Sequence, residues 1–171
     1  MRDFTKISPA VWGSDRFNRL QSDDARYLYL YLLTCEHQTS AGAFRLKDGY
    51  ATDDLKWDAP RYHAARRQLV GADLIHFDEA ANCILITRWF KHNPPMSESH
   101  LIGIERQLER LPSQAIWEAA SQAAHEAWES VKAAKLAKDI KSGKAPPSAS
   151  NGQHGTIPER LQTSYLKGTR Q

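Results

Sequence analysis

The sequence predicts a mainly α-helical chain with a small β-hairpin, followed by C-terminal helices. Three observations predict it. Apolar residues recur at helical spacing in Ala25–Cys35, Tyr62–Leu69 and Leu101–Leu111. Two short β-rich runs, Leu74–Phe77 and Cys83–Trp89, flank a polar connector, Asp78–Asn82, short enough for a hairpin. Nine alanines between Ser113 and Ala137 make a long helix there inexpensive to form.

Phe4–Ser8 alternates loosely and reads as a short edge strand, stopped at Pro9 because proline cannot donate to a ladder. Trp12 and Phe17 flank a polar turn and are expected to dock on the core. Ser22 is a plausible cap for a helix to Glu36, with Asp23 and Asp24 in its first turn, where the helix dipole favours negative charge. Gln38–Gly42 is a connector, and Ala43–Leu46 is long enough for one strand rung. A short helix follows over Lys47–Lys56. Asp58 can cap the next helix, Ala59–Val70, with Pro60 in its first turn, where a missing N–H costs little. Tyr62, Ala65 and Leu69 share one face of that helix; His63, Ala64 and Arg67, flanked by Arg61 and Gln68, share the other. Gly71 is placed to end it. After the hairpin, Lys91–Pro95 punctuates the chain. Helices are expected over Ser97–Leu111 and, capped by Ser113, to about Ile140. The organisation expected is a domain over residues 1–95, a helical extension 96–140, and a basic, disordered tail 141–171 in which 157–166 is a candidate partner-bound helix.

Charge and composition exclude several classes. The chain has 171 residues and a formal charge of +3, too small to advertise a polyanion partner. Residues 141–171 hold five basic groups and one acid, so residues 1–140 are close to neutral, with 18 basic and 19 acidic groups. No apolar stretch approaches the ~18 residues that a membrane helix needs, and Met1–Lys6 lacks an apolar signal core. Cys35 and Cys83 form no Cys-x-x-Cys pair, which suits a reducing compartment; a cytoplasmic protein is expected.

The co-linear runs Lys6–Pro9 to Trp12, Phe17–Leu20, Asp24–Arg26 to Leu33, Gly42–Leu46, Asp54–Leu55, Gln68–Val70, Leu74–Ile75 and Trp89–Pro94 carry a resemblance. Together, over roughly residues 4–111, the chain resembles a phage and prophage winged-helix family described as replisome organisers, or replication-initiator DNA-binding domains. The resemblance implies a winged helix-turn-helix: Lys47–Lys56 the supporting helix, Ala59–Val70 the recognition helix, the hairpin the wing. A helix of this kind fits the major groove, where outward side chains reach bases and phosphates. The candidate DNA-binding residues are then Lys56, Arg61, His63, Arg67, Gln68, Arg88 and Lys91, and double-stranded DNA is the expected partner. Arg66 points toward the buried edge and is expected in a structural ion pair.

Other functions fit the same residues. From Ser22 to His92 there are nine basic residues and ten acids, and Asp78 and Glu79 at the hairpin turn would repel a phosphate. A transcriptional regulator of the same fold, or an adaptor or inhibitor that binds a host or defence protein without DNA, fits such a chain. Cys35-Glu36-His37 lacks a second ligand pair at zinc spacing. Neither a phosphate-cradling Gly-rich loop nor Gly-x-Ser-x-Gly occurs, so neither enzymatic chemistry nor a cofactor or metal is expected. Trp12, Trp57 and Trp89 are expected in core packing rather than base stacking. Trp117 and Trp128, eleven residues apart, share a helix face with Ala124 and Val131. That face either folds back on the chain or docks a replication protein, a host protein or a second copy, so both tryptophans are candidate partner-binding residues.

Overall fold

Short polar caps set where most of the helices begin. In this computed structural model, which describes residues 5–142, the N–H groups of Phe17, Ala25, Arg61, His100 and Ile116 donate to the side chains of Ser14, Ser22, Asp58, Ser97 and Ser113. A 3-10 turn, Pro9–Gly13, precedes α1 (Asp15–Asn18) and α2 (Asp23–Thr34). Then come β1 (Ala43–Arg45), α3 (Asp48–Leu55), α4 (Ala59–Gly71), β2 (Ile75–Asp78), β3 (Cys83–Ile86), α5 (Trp89–His92), α6 (Glu98–Leu108) and α7 (Gln114–Lys141). No helix among the described residues is long and apolar enough to cross a membrane.

The three strands form one antiparallel sheet in the order β1-β3-β2, with Phe44 opposite Ile84 and Ile84 opposite Phe77. The central strand, β3, is buried along its whole length. Against the sheet, α2 contributes Leu28 and Leu32, α4 contributes Tyr62 and Leu69, and Phe17 of α1 joins them. The core continues without a break into Leu101, Ile104 and Leu108 of α6 and Ile116, Ala120 and Ala124 of α7. One compact unit runs through Lys135, and a second begins at Leu136. Of that second unit the structure describes 136–142, in which Leu136 and Ile140 are exposed. The expectations for residues 143–171, including the 157–166 helix, lie outside the described residues.

Helix α4 ends in a left-handed turn. The Leu74 N–H donates to the Leu69 carbonyl and the Asp73 N–H to that of Val70, with Asp73 at φ 53°. Leu69 and Leu74, the two positions such an ending pairs, are both buried. Gly71, expected to end the helix, is its last residue.

Three expectations are corrected. Thr5–Ser8 is irregular rather than a strand, because it pairs with no strand among the described residues. The run expected as one strand to Trp89 stops at Ile86, since Arg88 adopts a left-handed φ of 59° and turns the chain into α5. Trp12 is 63% exposed, touching Phe17 only edge-on with ring centres 5.5 Å apart. Trp89 does pack in the core. Its indole N–H donates to the Ser40 carbonyl (2.9 Å). Gly42, at φ 66°, lies so close beneath the ring that a Cβ there would sit 2.2 Å from Trp89 Cγ.

Candidate nucleic-acid interface

Helix α4 starts where the sequence places it. Asp58 accepts from the Arg61 N–H at 2.9 Å, and Pro60 occupies the first turn. Tyr62, Ala65, Arg66 and Leu69 face the core, while Pro60, Arg61, Arg67, Val70 and Gly71 are exposed. The Lys56-Trp57-Asp58 connector separates α4 from α3, which ends with Lys56 in the left-handed region.

The side chains expected to face DNA meet different fates. Arg61 makes a two-pronged pair with Asp24 of α2, Nε to Oδ2 at 2.8 Å and Nη2 to Oδ1 at 2.6 Å, and its guanidinium lies 4.4 Å from the Trp57 ring centre. The bond holds the Asp24 carboxyl below its ordinary pKa and raises that of Arg61. His63 Nε2 lies 2.5 Å from Asp48 Oδ2. Arg66, the expected structural partner, is buried. It donates to Asp48 Oδ1 at 2.5 Å and stacks 3.8 Å over the Phe77 ring. Gln68 is tied to the start of α2: its Oε1 accepts from the Gln21 N–H, the Ser22 N–H and the Ser22 hydroxyl, each at 3.2 Å. Gln68 is therefore a clamp on the start of α2, not a free hydrogen-bonding tip. Lys56 Nζ lies 3.1 Å from Asp53 Oδ1, both largely in solvent, a pair of little energetic weight. Arg67 is exposed and has no ion-pair partner among the described residues.

Around α4, then, Lys56, Arg61 and Arg66 are paired with Asp53, Asp24 and Asp48, and Arg67 stands without such a pair among the described residues. Asp24 and Asp48 are the residues that sequence reading missed here. Asp24 explains itself as a helix N-terminal charge, and it meets Arg61 only through the packing of α2 on α4.

Arg88 and Lys91 lie elsewhere, in a groove that Arg16, Arg19, Asp15 and His92 also line. Arg16 is occupied, donating to the Asp73 carbonyl and pairing with its carboxylate at 2.8 Å. Arg19, Arg88 and Lys91 are exposed and carry no ion pair among the described residues. A second concavity shares Arg16 and Arg19 with Gln68 and Gly71, so the groove adjoins the end of α4. Nothing in the sequence singles out Arg16 and Arg19. They lie far along the chain from Arg88 and Lys91, and no local spacing announces the meeting.

The acidic hairpin turn also differs from expectation. Asp78 accepts from the buried Ser113 hydroxyl (2.6 Å) and the Ala81 N–H (3.2 Å), which together hold its carboxyl below its ordinary pKa. It fastens the start of α7 to the sheet and leaves Glu79 as the exposed acid of the turn. Trp117 and Trp128, the candidate partner-binding residues, are partly buried against the chain's own core. Their rings seal α7 onto the domain. Cys35 caps the end of α2, its thiol pushed up in pKa chiefly by burial.

Comparison of the chain with protein-family models, with curated proteins and with solved structures finds no match.

Proposed function

We propose that this chain is a non-enzymatic, winged-helix-type protein that binds double-stranded DNA and helps organise replication initiation. The observation that carries the reading is the disposition of α4. It follows α3 after a three-residue connector, leads directly into an antiparallel β2–β3 hairpin, and keeps its far side, with Arg67, open to solvent. That side is narrow enough to enter a major groove, where Arg67 reaches a guanine edge or a phosphate. Exposed pairs such as Arg61–Asp24 exchange readily, so Arg61 can leave its carboxylate for a phosphate. The replication role rests on the family resemblance alone.

The test is an electrophoretic shift of duplex DNA by the full chain and by an Arg61→Ala/Arg67→Ala double variant. Weakened binding in the variant supports α4 as the contacting helix. Unchanged, salt-sensitive binding discards α4 as that surface.

A second reading, a protein-contact module without DNA, is favoured by one observation: the carboxylates of Asp24 and Asp48 already occupy Arg61, His63 and Arg66. Absence of any shift with the wild-type chain selects it. Partners then captured from a nuclease-treated host lysate identify the protein recognised.

A further inference from the structure

We propose that the groove between α1 and α5, rather than the outward side of α4, supplies most of the phosphate contacts. The inference rests on the DNA-binding reading above and names the part of the surface that holds the nucleic-acid backbone.

Charge favours the groove. Near α4 every basic group but Arg67 has a carboxylate beside it, so the helix adds little to the counterion release that drives nucleic-acid affinity. In the groove, Arg19, Arg88 and Lys91 face Asp15, since Arg16 and Asp73 neutralise each other, and Arg88 and Lys91 also border a cleft lined by Glu126 of α7, which leaves three cations against two carboxylates. The excess is positive.

Geometry then selects a polymer over a small anion. These three cations stand on two separate pieces of chain, Arg19 at the end of α1 and Arg88 with Lys91 at the start of α5. All three line one groove and are exposed, an arrangement that suits a repeating charge better than one phosphate. Lys and Arg held this way contact successive phosphates without reading bases. Continuity with α4 supports the same ligand, since Arg16 and Arg19 also line the concavity that reaches Gln68 and Gly71. A duplex strand lying in the groove therefore passes the end of α4.

The experiment is fluorescence anisotropy of a labelled duplex titrated with the full chain across a salt series. The groove variant is Arg19→Glu/Lys91→Glu; its control, Arg106→Glu/Arg110→Glu, makes the same change of charge at two exposed positions of the α6 region. Arg88→Asn is a gentler second groove variant, because asparagine tolerates the left-handed φ of 59° that Arg88 holds.

Each phosphate partner removed lowers the slope of log K against log salt by about 0.9, so the double groove variant should lower its slope by about 2 and its affinity by about tenfold or more. Arg88→Asn should lower the slope by about 1, and the control should keep the wild-type slope. Groove variants that bind with wild-type slope and affinity overturn the inference and leave the DNA reading standing. An equal drop in the control overturns it too, by assigning the effect to net charge. Displacement of the duplex by poly-glutamate reassigns the groove to acidic peptides. A wild-type chain that gives no anisotropy change at the lowest salt overturns both.

Discussion

Replacing Asp48 by alanine should destabilise the domain more than replacing the buried arginine that it holds. Arg66 has a side chain only 9% exposed, pairs with Asp48 at 2.5 Å and lies between the rings of Phe77 and Tyr62. Removing one partner of a fully buried ion pair costs about 3–5 kcal/mol, because the other charge is stranded. Asp48 is 32% exposed, so water reaches the vacated site and the cost for Asp48→Ala should be nearer ~2 kcal/mol. Arg66→Met keeps an unbranched chain against Phe77 and strands no buried cation. Asp48 retains His63 and solvent, and the change should cost about 1 kcal/mol or less. The double variant should match Arg66→Met, giving a coupling of about 1.5–2 kcal/mol. Urea unfolding followed by circular dichroism, with m-values checked for constancy, measures all four corners of the cycle. Costs for the two single variants that simply add in the double, or an Arg66→Met as damaging as Asp48→Ala, would refute this anchoring of α4.

Two further outcomes are expected of the same structure. Gly42→Ala should be strongly destabilising, because Gly42 combines a left-handed φ with a Trp89 ring that leaves no room for a Cβ; a lowered melting temperature together with altered Trp89 fluorescence checks it. Asp78 has its carboxyl pKa depressed, chiefly by the Ser113 hydroxyl and next by the Ala81 N–H, so its contribution is complete above the ordinary value of 3.8 and is lost as pH falls through the lower folded value. Melting temperature should therefore drop below about pH 4, and Ser113→Ala should flatten that acid limb while costing about 1 kcal/mol as a missing helix cap at neutral pH.

Local chemistry makes much of this fold legible in advance. Asp58 with Pro60 marks the start of α4, and Ser22, Ser97 and Ser113 mark three others, because a cap is a contact three residues long. Strand β3 reads too long at its far end because no glycine or proline interrupts the chain before Trp89, while the residue that turns left-handed is Arg88. The interface is harder to read. Helical spacing puts Arg61 and Gln68 on the outward side of α4, but their partners, Asp24 and Ser22, lie 37 and 46 residues away on and beside α2. Arg16 and Arg19 reach Arg88 and Lys91 only through tertiary packing, which the periodicity of single elements does not encode.

The surface claimed for nucleic acid runs from the exposed side of α4 to the groove beside α5. Hydrogen–deuterium exchange of the full chain, with and without a saturating duplex, maps it most directly. Slowed exchange in 59–71, 14–20 and 87–92, with the α6 face unchanged, is the predicted result. Protection confined to other segments, or none at a duplex concentration that saturates an independent binding assay, would contradict it.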